Sequence, residues 1–194
     1  MQFIYVVKRA RITDLIPECG FTSLPRELCA ERFGNGFFME RRTAETDPDF
    51  KQIIPYTVLW RQDEVFVFER LAGGGEKRLH NLLSIGVGGH MEPTETGDSW
   101  KMIQAAALRE LSEEVALTTS SPLHLEYQGI INDESNEVGT VHTGVVFFAR
   151  LEPEAMVTVR ETDVLAGRFR PVSGLRDDPA LRFETWSRHI LDAL

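Results

Sequence analysis

Short apolar runs rich in β-branched and aromatic residues recur along the chain, and such runs are typical of buried strands. They predict strands at Phe3–Val7, Gly34–Glu40, Thr57–Trp60, Glu64–Glu69, His124–Ile131, Val141–Leu151, Met156–Val159 and Gly167–Val172. Between the third and fourth runs, Arg61-Gln62-Asp63 predicts a hairpin connection. Strands therefore dominate the predicted structure.

Apolar residues at helical spacing mark three further segments. Trp100–Leu117 is the longest, and Ser23–Arg32 is a shorter one with Pro25 in its first turn. The C-terminal segment carries an amphipathic pattern through Phe183, Trp186, Ile190 and Leu194. The order of strands and helices is neither strictly alternating nor all-β. We therefore expect an α/β fold in which helices pack on the faces of a mixed β-sheet.

The length of 194 residues fits one compact domain, with or without an extension. A polar stretch that contains a proline, Thr43–Asp49, is the best candidate for an internal boundary. It predicts an N-terminal extension, residues 1–50, packed on a main domain of residues 51–194. Hydrophobic residues make up 42% of the chain and charged residues 26%, which is typical of a globular protein.

Charge and composition exclude several classes of protein. Thirty acidic residues against twenty-one basic ones give a net charge of −9, so we expect no nucleic acid polymer as a partner. The apolar runs are far shorter than the ~20 residues of a membrane span, and the N-terminus does not resemble a signal peptide. Two cysteines, Cys19 and Cys29, make no disulfide framework. These features predict a cytoplasmic protein without membrane attachment. They leave the oligomeric state open, although the N-terminal extension could serve a homodimer.

Three glutamates in the long helical segment deserve a chemical interpretation. Glu110, Glu113 and Glu114 fall within a sector roughly 100° wide, and two of them border the predicted apolar stripe. Taken alone, such a cluster is more typical of a solvated helix face. Carboxylates crowded at the edge of a core, however, need either raised pKa values or a shared cation. Their hard oxygen atoms suit Mg²⁺ or Mn²⁺.

The segment before this helix gives the cluster a context. Gly89 and Glu95 have the spacing of the first half of the Nudix box, G-x5-E-x7-R-E-U-x-E-E-x-G-U, where U is a bulky aliphatic residue. The second half matches at Arg109, Glu110, Leu111, Glu113, Glu114 and Leu117. The chain therefore resembles the Nudix hydrolase family over this box, and its β-rich pattern is similar to that family's fold over roughly residues 54–194. The resemblance implies an α/β/α sandwich with a mixed sheet.

The chain departs from the family pattern at two points. Thirteen residues, rather than seven, separate Glu95 from Arg109, and we expect the extra residues, within Thr96–Lys101, to lengthen the loop before the helix. Ala116 stands where the pattern has glycine. If that position is left-handed, alanine costs about 1 kcal/mol there.

The resemblance implies hydrolysis of a diphosphate linked to another moiety, often a nucleoside. Cations must screen the diphosphate and position the attacking water. By this likeness, Glu110, Glu113 and Glu114 would hold Mg²⁺ or Mn²⁺, with the backbone at Gly89 close to the metal or the phosphate. Arg109 would hold Glu95 or a helix glutamate in place by a charge-assisted hydrogen bond.

Other residues are candidates for the base and for phosphate contacts. The catalytic base would be a helix glutamate such as Glu113 or an acid of the loop 132–137, from which we select Glu137. Arg70, Lys77 and Arg78 flank or lie in a glycine-rich loop and are reasonable phosphate contacts. Two histidines, His90 and His142, are predicted to have a structural role or to support the metal ligands from behind, and not to be ligands themselves.

Two alternatives use the same fold. An isopentenyl-diphosphate-isomerase-like enzyme would need a cysteine in a characteristic context, and neither Cys19 nor Cys29 lies in one. A non-catalytic ligand-sensing module would keep the fold without its chemistry, and the intact glutamates argue against that interpretation. The likeness does not identify the diphosphate substrate.

Overall fold

The structure is a computed structural model and describes residues 1–71 and 82–194. Within these ranges the strands are β1 (Phe3–Lys8), β2 (Cys19–Thr22), β3 (Phe37–Glu40), β4 (Phe50–Arg61), β5 (Glu64–Arg70), β6 (Leu83–Ser84), β7 (Gly86–Gly88), β8 (Val115–Thr118), β9 (Leu125–Asp133), β10 (His142–Leu151), β11 (Met156–Val159) and β12 (Leu165–Pro171). The helices are α1 (Arg26–Phe33), α2 (Arg41–Ala44), α3 (Ser99–Glu114), α4 (Glu137–Val141), α5 (Val172–Arg176) and α6 (Thr185–Ala193), with a 3-10 turn at Arg9–Arg11.

A mixed sheet forms the centre of the molecule, in the strand order β12-β5-β4-β10-β9-β2. The central strands β4 and β10 are parallel, in register from Gln52 opposite His142 to Arg61 opposite Leu151. Both strands are buried along most of their length, as expected for parallel strands covered on two faces. The neighbours β5 and β9 pair antiparallel to them, and a register shift interrupts the β9–β10 pairing. The mixed sheet is the one that the sequence predicts.

Two apolar layers cover the two faces of this sheet. Successive residues of β10 point to opposite sides, so that Phe147 packs in one layer and Phe148 in the other. The first layer contains the apolar face of α3, including Ile103 and Leu111. The second contains residues of α5 and α6, such as Ile190. The sheet thus lies between helices, which is an α/β/α sandwich.

The N-terminal residues contribute strands to the same sheet. β1 pairs with β4 on one side and with β3 on the other, and β2 pairs with β9. The backbone N–H of Tyr5 donates to the carbonyl of Met91 at 3.1 Å, and the Tyr5 hydroxyl donates to the carbonyl of Phe33 at 2.9 Å. Residues 1–50 are therefore joined to the rest of the chain by backbone pairing, and the proposed boundary near residue 50 falls at the start of β4.

Several element boundaries differ from those that the sequence predicts. β4 begins at Phe50, well before the predicted Thr57, because its first half pairs with β1 and β10. The long helix ends at Glu114, and the predicted last turn is instead β8, which pairs with β11. Ala116 lies in β8 and has no positive φ, so alanine carries no conformational cost there. Cross-strand pairing overrides helical spacing at this end.

Sequence patterns did not predict the short helices α2, α4 and α5 or the short strands β2, β6 and β7. α4 begins at Glu137, inside and just beyond a segment interpreted only as a loop, and α2 lies across the start of the polar stretch from Thr43. Pro25 precedes α1 as its N-terminal flanking residue instead of lying in the first turn. None of the helices in the described ranges has the length and apolarity needed to cross a bilayer.

Candidate functional site

Helix α3 carries the predicted glutamates to the edge of the core. Asp98 caps the helix by accepting from the backbone N–H of Lys101 at 3.0 Å, and Gly97 before it has a φ of +116° that favours glycine. Glu110 and Glu114 are half-buried beside the apolar face of the helix. That face consists of Trp100, Ile103, Ala106, Ala107 and Leu111.

Arg109 is the hub of the hydrogen bonds at this edge. Its Nε donates to Glu95 Oε1 at 2.9 Å, its Nη1 to Glu110 Oε1 at 2.8 Å, and its Nη2 to the carbonyl oxygen of His90 at 2.7 Å. Nη1 also lies 3.4 Å from the carboxylate of Glu113. Partial burial opposes the charge of the guanidinium, but the pairs with Glu95 and Glu110 raise the pKa of Arg109 above its ordinary value. Arg109 therefore stays positively charged.

Glu95 ties the loop before α3 to Arg109. Its side chain is 4% exposed and accepts from the backbone N–H of Glu92 as well as from Arg109 Nε. Both bonds satisfy a carboxylate that would otherwise be costly to bury. Within Thr96–Lys101, the segment predicted to lengthen the loop, residues from Ser99 onward belong to α3. The lengthening of the loop is therefore partial.

Gly89 lies directly against the carboxyl group of Glu110. A Cβ built at this position would collide with all three carboxyl atoms of Glu110. Gly88, at the end of β7, faces Tyr56 in a similar way. Only a residue without a side chain lets the main chain approach the carboxylate so closely. The backbone at Gly89 and the side chain of Glu110 therefore share one small region at the edge of the sheet.

The charges in this region are not balanced by the described residues. Burial raises the pKa of Glu110 and of Glu114, with neighbouring Glu113 adding to the rise for both. Arg109 offsets part of the rise for Glu110, and Arg70 offsets part of it for Glu114. An additional cation would remove the penalty on both carboxylates. Their oxygen atoms are the donors that Mg²⁺ and Mn²⁺ prefer, so the residues fit such an ion.

The carboxylates do not by themselves enclose a cation. Among residues 1–71 and 82–194, no three His, Cys, Asp or Glu side chains are arranged so that they could hold one. Magnesium usually keeps several water ligands and takes few from the protein. Backbone oxygens, water and substrate phosphate would therefore complete the coordination.

A cleft opens beside Glu114. Glu114 and Arg70 line it together with Phe68, Ser84, Gly86, Val87, Gly88 and Leu165. Arg70, a predicted phosphate contact, is half-exposed, and its Nε donates to Glu184 at 3.0 Å. The structure therefore brings Arg70 into the neighbourhood of the helix glutamates. Two further predicted contacts, Lys77 and Arg78, lie outside the described residues.

Glu137, the predicted base, lies at the start of α4 and is exposed. No hydrogen bond or ion pair among the described residues connects its side chain to the α3 glutamates. The neighbouring Glu134 has a different environment, because its carboxylate pairs with Lys51 at 2.7 Å and with Arg9 at 3.0 Å. Glu134 and Glu137, which belong to one predicted loop, thus differ: the first is paired with two cations, and the second is exposed.

Behind Gly89, sequence reasoning singled out His90 and His142 but did not find Gln52. Gln52, fully buried on β4, lies 2.8 Å from His90 through Oε1 and Nε2, and His142 Nε2 lies 3.4 Å from the same His90 nitrogen. Burial lowers the pKa of His90 to about 4, with His142 adding to the effect, and burial also lowers the pKa of His142. A glutamine within an apolar strand gave no signal, because its partner is set by the sheet register.

Comparisons with known proteins agree with this architecture. The protein YmaB of Bacillus subtilis (strain 168) is 47% identical over 158 residues, which are 80% of this chain and 77% of YmaB. Tm1382, provisionally designated a Nudix hydrolase, has a TM-score of 0.82 at 29% identity and covers 99% of this chain and 97% of its own. No protein-family model matches the chain.

A more distant structure shares the fold alone. A bifunctional NMN adenylyltransferase/ADP-ribose pyrophosphatase from Francisella tularensis was solved with AMP and a manganese ion. It matches with a TM-score of 0.50 at 16% identity, over 74% of this chain and 41% of that protein. Together with Tm1382 it confirms the predicted α/β sandwich with a mixed sheet.

Proposed function

We propose that this chain, which belongs to the Nudix hydrolase family and is a pyrophosphohydrolase by class, uses a divalent cation to hydrolyse a diphosphate-linked small molecule. The observation that carries the proposal is the charge imbalance around Arg109. One guanidinium faces three carboxylates there, while Glu110 and Glu114 are half-buried with raised pKa values. A structural ion-pair cluster would match its charges, whereas a site built for a cation and a phosphate would not.

In this proposal some residues bind the cation, and others hold the site in position. Glu110, Glu113 and Glu114 would bind Mg²⁺ or Mn²⁺ either directly or through water ligands, together with the main chain at Gly89. When bound, the ion would screen the diphosphate and lower the pKa of the attacking water. Arg109 keeps Glu110 and the loop at Glu95 in fixed positions by its forked hydrogen bonds. A fixed geometry matters because a displacement of about 1 Å can cost ~10²-fold in rate.

Two residues are candidates for the base that accepts the proton from water, Glu113 and Glu137. Glu113 is exposed at the cluster and only weakly paired with Arg109, at 3.4 Å, so it is available to accept a proton from water. Glu137 is exposed on α4 and would reach the reaction only if substrate or the chain brings it closer. Replacing each by glutamine separates them. If Glu137 is the base, Glu137→Gln loses hydrolysis and keeps Mn²⁺ affinity. If Glu113 is the base, Glu137→Gln keeps hydrolysis, and Glu113→Gln, at a residue also assigned to the metal, loses it.

The substrate is proposed as a nucleoside or non-nucleoside diphosphate compound. Arg70 lines the cleft beside Glu114, and its remaining guanidinium donors suit a phosphate group. Lys77 and Arg78 are proposed as further phosphate contacts. The Francisella tularensis enzyme was solved with AMP, and its name includes an ADP-ribose pyrophosphatase activity, so ADP-ribose is a rational first compound.

The test is a panel of diphosphate compounds with Mg²⁺, with Mn²⁺ and with chelator. It includes ADP-ribose, nucleoside di- and triphosphates, dinucleotides and coenzyme A, and product release is followed by chromatography. We expect metal-dependent hydrolysis of at least one compound. Binding without turnover for every compound would favour the ligand-sensing module, and release of an isomer would favour the isomerase.

A matched pair of variants tests the role of the forked hydrogen bonds. Arg109→Lys keeps the charge but loses the planar fork, so hydrolysis should fall by at least ~10-fold. Arg150→Lys makes the same replacement at a surface pair with Glu126 and serves as the control. Equal activities for the two variants would contradict the role given to Arg109.

The compartment is proposed from the two cysteines, and the assembly from exposed apolar side chains. Cys19 and Cys29 are free thiols, which suits a reducing cytoplasm. A homodimer would cover the apolar side chains that the N-terminal segment exposes, Phe3 and Phe37. Light scattering of the purified chain, compared with a Phe37→Ser variant, tests the dimer.

A further inference from the structure

The backbone at His90 is one of the anchors of Arg109. Its carbonyl oxygen accepts from Arg109 Nη2 at 2.7 Å, and it follows Gly89, which lies against Glu110. A rotation of the main chain at residue 90 would therefore move both the guanidinium support and the backbone beside the Glu110 carboxylate. Whatever holds His90 in place also holds this part of the site.

The ring of His90 is held by a glutamine whose orientation is determined. Gln52 Nε2 donates to the carbonyl of Ala44 at 3.2 Å, so the amide oxygen must face His90. His90 Nε2 lies 2.8 Å from that oxygen and is therefore the protonated nitrogen. Gln52 is fully buried, so the loss of either partner would leave a buried polar group without a hydrogen bond.

His142 extends this series of hydrogen bonds from the other side of the His90 ring. Its Nδ1 lies 2.6 Å from the carbonyl of Val138 and must donate to it, so its Nε2 is left as an acceptor when the ring is neutral. The two Nε2 atoms lie 3.4 Å apart, so the single His90 Nε2–H is shared between Gln52 Oε1, the nearer acceptor, and His142 Nε2, the more distant one. The donors and acceptors thus form one consistent series from Val138 to Ala44.

We propose that Gln52 is a positioning residue of the hydrolytic site, with His142 in support, and that it acts through the His90 ring on the His90 carbonyl and thereby on Arg109 and Glu110. This inference rests on the proposed function, since it assigns a role within the same site. No hydrogen bond or ion pair of the described residues joins Gln52 or His142 to Arg109 or to a helix glutamate. Removal of groups that orient a metal-site residue typically costs 10- to 100-fold in metal affinity or activity, which sets the expected size at about 10-fold.

Two replacements of one histidine separate this role from simple packing. His90→Gln can place an amide N–H near the position of the ring Nε2, whereas His90→Asn places its amide near Nδ1 and cannot reach Gln52. We expect His90→Asn to weaken Mn²⁺ binding and to lower kcat about 10-fold, and His90→Gln to recover most of both. Gln52→Met, which is close to glutamine in shape but cannot hydrogen-bond, should behave like His90→Asn. His124→Asn, at an exposed histidine before β9, is the control.

Mn²⁺ binding to the purified chain without substrate is measured by electron paramagnetic resonance, at a temperature where circular dichroism shows every variant folded. A loss of Mn²⁺ affinity in His90→Asn and Gln52→Met, recovered in His90→Gln, supports the proposal. A lower melting temperature with unchanged Mn²⁺ affinity would show that the chain of hydrogen bonds is only structural and would overturn it. Equal losses in His90→Gln and His90→Asn would overturn it as well.

The same measurement distinguishes this proposal from the proposed function. Wild-type protein that binds Mn²⁺ but hydrolyses no compound would contradict the enzyme, while the ratios of Mn²⁺ affinity among variants would still decide the role of Gln52. Wild-type protein that binds no Mn²⁺ would overturn both.

Discussion

Two clusters of charged side chains in this molecule differ in how completely their charges are matched. In the first, around Lys51, the ammonium is fully buried and contacts Glu134 Oε1 at 2.7 Å and Asn132 Oδ1 at 2.9 Å. Arg9 adds a forked pair with Glu134. In the second, around Arg109, the carboxylates of Glu95, Glu110 and Glu113 share one guanidinium, and half-buried Glu114 follows Glu113 on α3.

The pKa shifts of the carboxylates point in opposite directions. Burial opposes the charge of Glu134, but Asn132, Lys51 and Arg9 together lower its pKa below the ordinary value. Burial raises the pKa of Glu110 and Glu114, and their single cationic neighbours do not cancel that rise. Glu134 in the first cluster faces two cations, although burial lowers the pKa of Lys51, whereas the carboxylates of the second would gain from any cation that enters. The first is therefore a matched cluster, in which cations offset the carboxylate, and the second is an unmatched cluster, whose excess carboxylate charge fits the proposed cation site.

The largest effect on stability is expected when Lys51 is removed from the matched cluster. Lys51→Met removes a buried cation and leaves Glu134, Asn132 and two backbone carbonyls with lost partners. Breaking a buried pair in this way costs about 3–5 kcal/mol of unfolding free energy. Urea unfolding followed by circular dichroism measures the loss, with Lys8→Met at an exposed lysine as the control. A loss as small as that of the control would show that this cluster does not stabilise the fold.

The unmatched cluster should respond in the opposite way. Glu114→Gln removes one negative charge and should lower hydrolysis at saturating Mg²⁺ by at least ~10²-fold, by analogy with positioning effects. Stability in chelator should hold or rise, because a half-buried carboxylate with a raised pKa becomes neutral. Hydrolysis and thermal unfolding are measured side by side.

The control for this variant is Glu126→Gln, which removes the same charge from a surface pair with Arg150. Unchanged activity in Glu114→Gln would exclude α3 as the metal-binding element. A parallel fall in activity and in stability without metal would indicate a structural ion-pair network instead.

Acid should lower the stability of the fold near the Lys51 cluster through Asp133, which precedes Glu134 in the sequence. Burial opposes its charge, yet hydrogen bonds from Ser135 lower the pKa of Asp133 to about 2, below the usual value of 3.8. A lowered carboxyl pKa contributes stability that is complete above pH 3.8 and is lost as the pH falls toward 2. Asp133→Asn should remove roughly 2 kcal/mol of that pH dependence. Chemical unfolding between pH 5 and pH 2 tests this, and parallel curves for both proteins would contradict it.

The smallest effect is expected from the thiol on the same side. Cys19 Sγ lies 3.3 Å from Asp133 Oδ1, at an exposed position of β2 away from α3. Cys19→Ser keeps a donor to Asp133, so hydrolysis should stay within about twofold, because a metal-activated water needs no thiol. Loss of activity in the folded variant would revive the isomerase or another thiol mechanism. Steady-state kinetics with the best compound of the panel decides.

The comparison also explains what the sequence could and could not reveal. The spacing within α3 places Arg109 next to Glu110 and one turn from Glu113, since a helix fixes neighbours over a few residues. The apolar runs likewise identify most strands. Lys51 meets Asn132 across 81 positions of sequence, and that contact depends on strand order and register. No local pattern encodes such a pairing.

The same reason accounts for the missed residues behind the site. Gln52 faces His142 because β4 and β10 are parallel in one particular register, and a shift by a single residue would turn its side chain to the other face. Glu137 shows the reverse case, in which an acidic loop suggested chemistry but the structure links its side chain to no described glutamate of α3. Charge alone could not separate it from Glu134, which is structural.

The parallel pairing of β4 with β10 also sets the order in which the chain can assemble. The strand that ends near Arg61 must wait for residues up to Leu151 before the centre of the sheet closes. During synthesis on the ribosome, α3 is complete well before its supporting sheet, and its crowded glutamates then lie on a helix without a finished core. Long-range pairing of this kind slows folding and leaves apolar strands exposed in the interval. The last strand of the centre to be made is thus the one that brings His142 to the site.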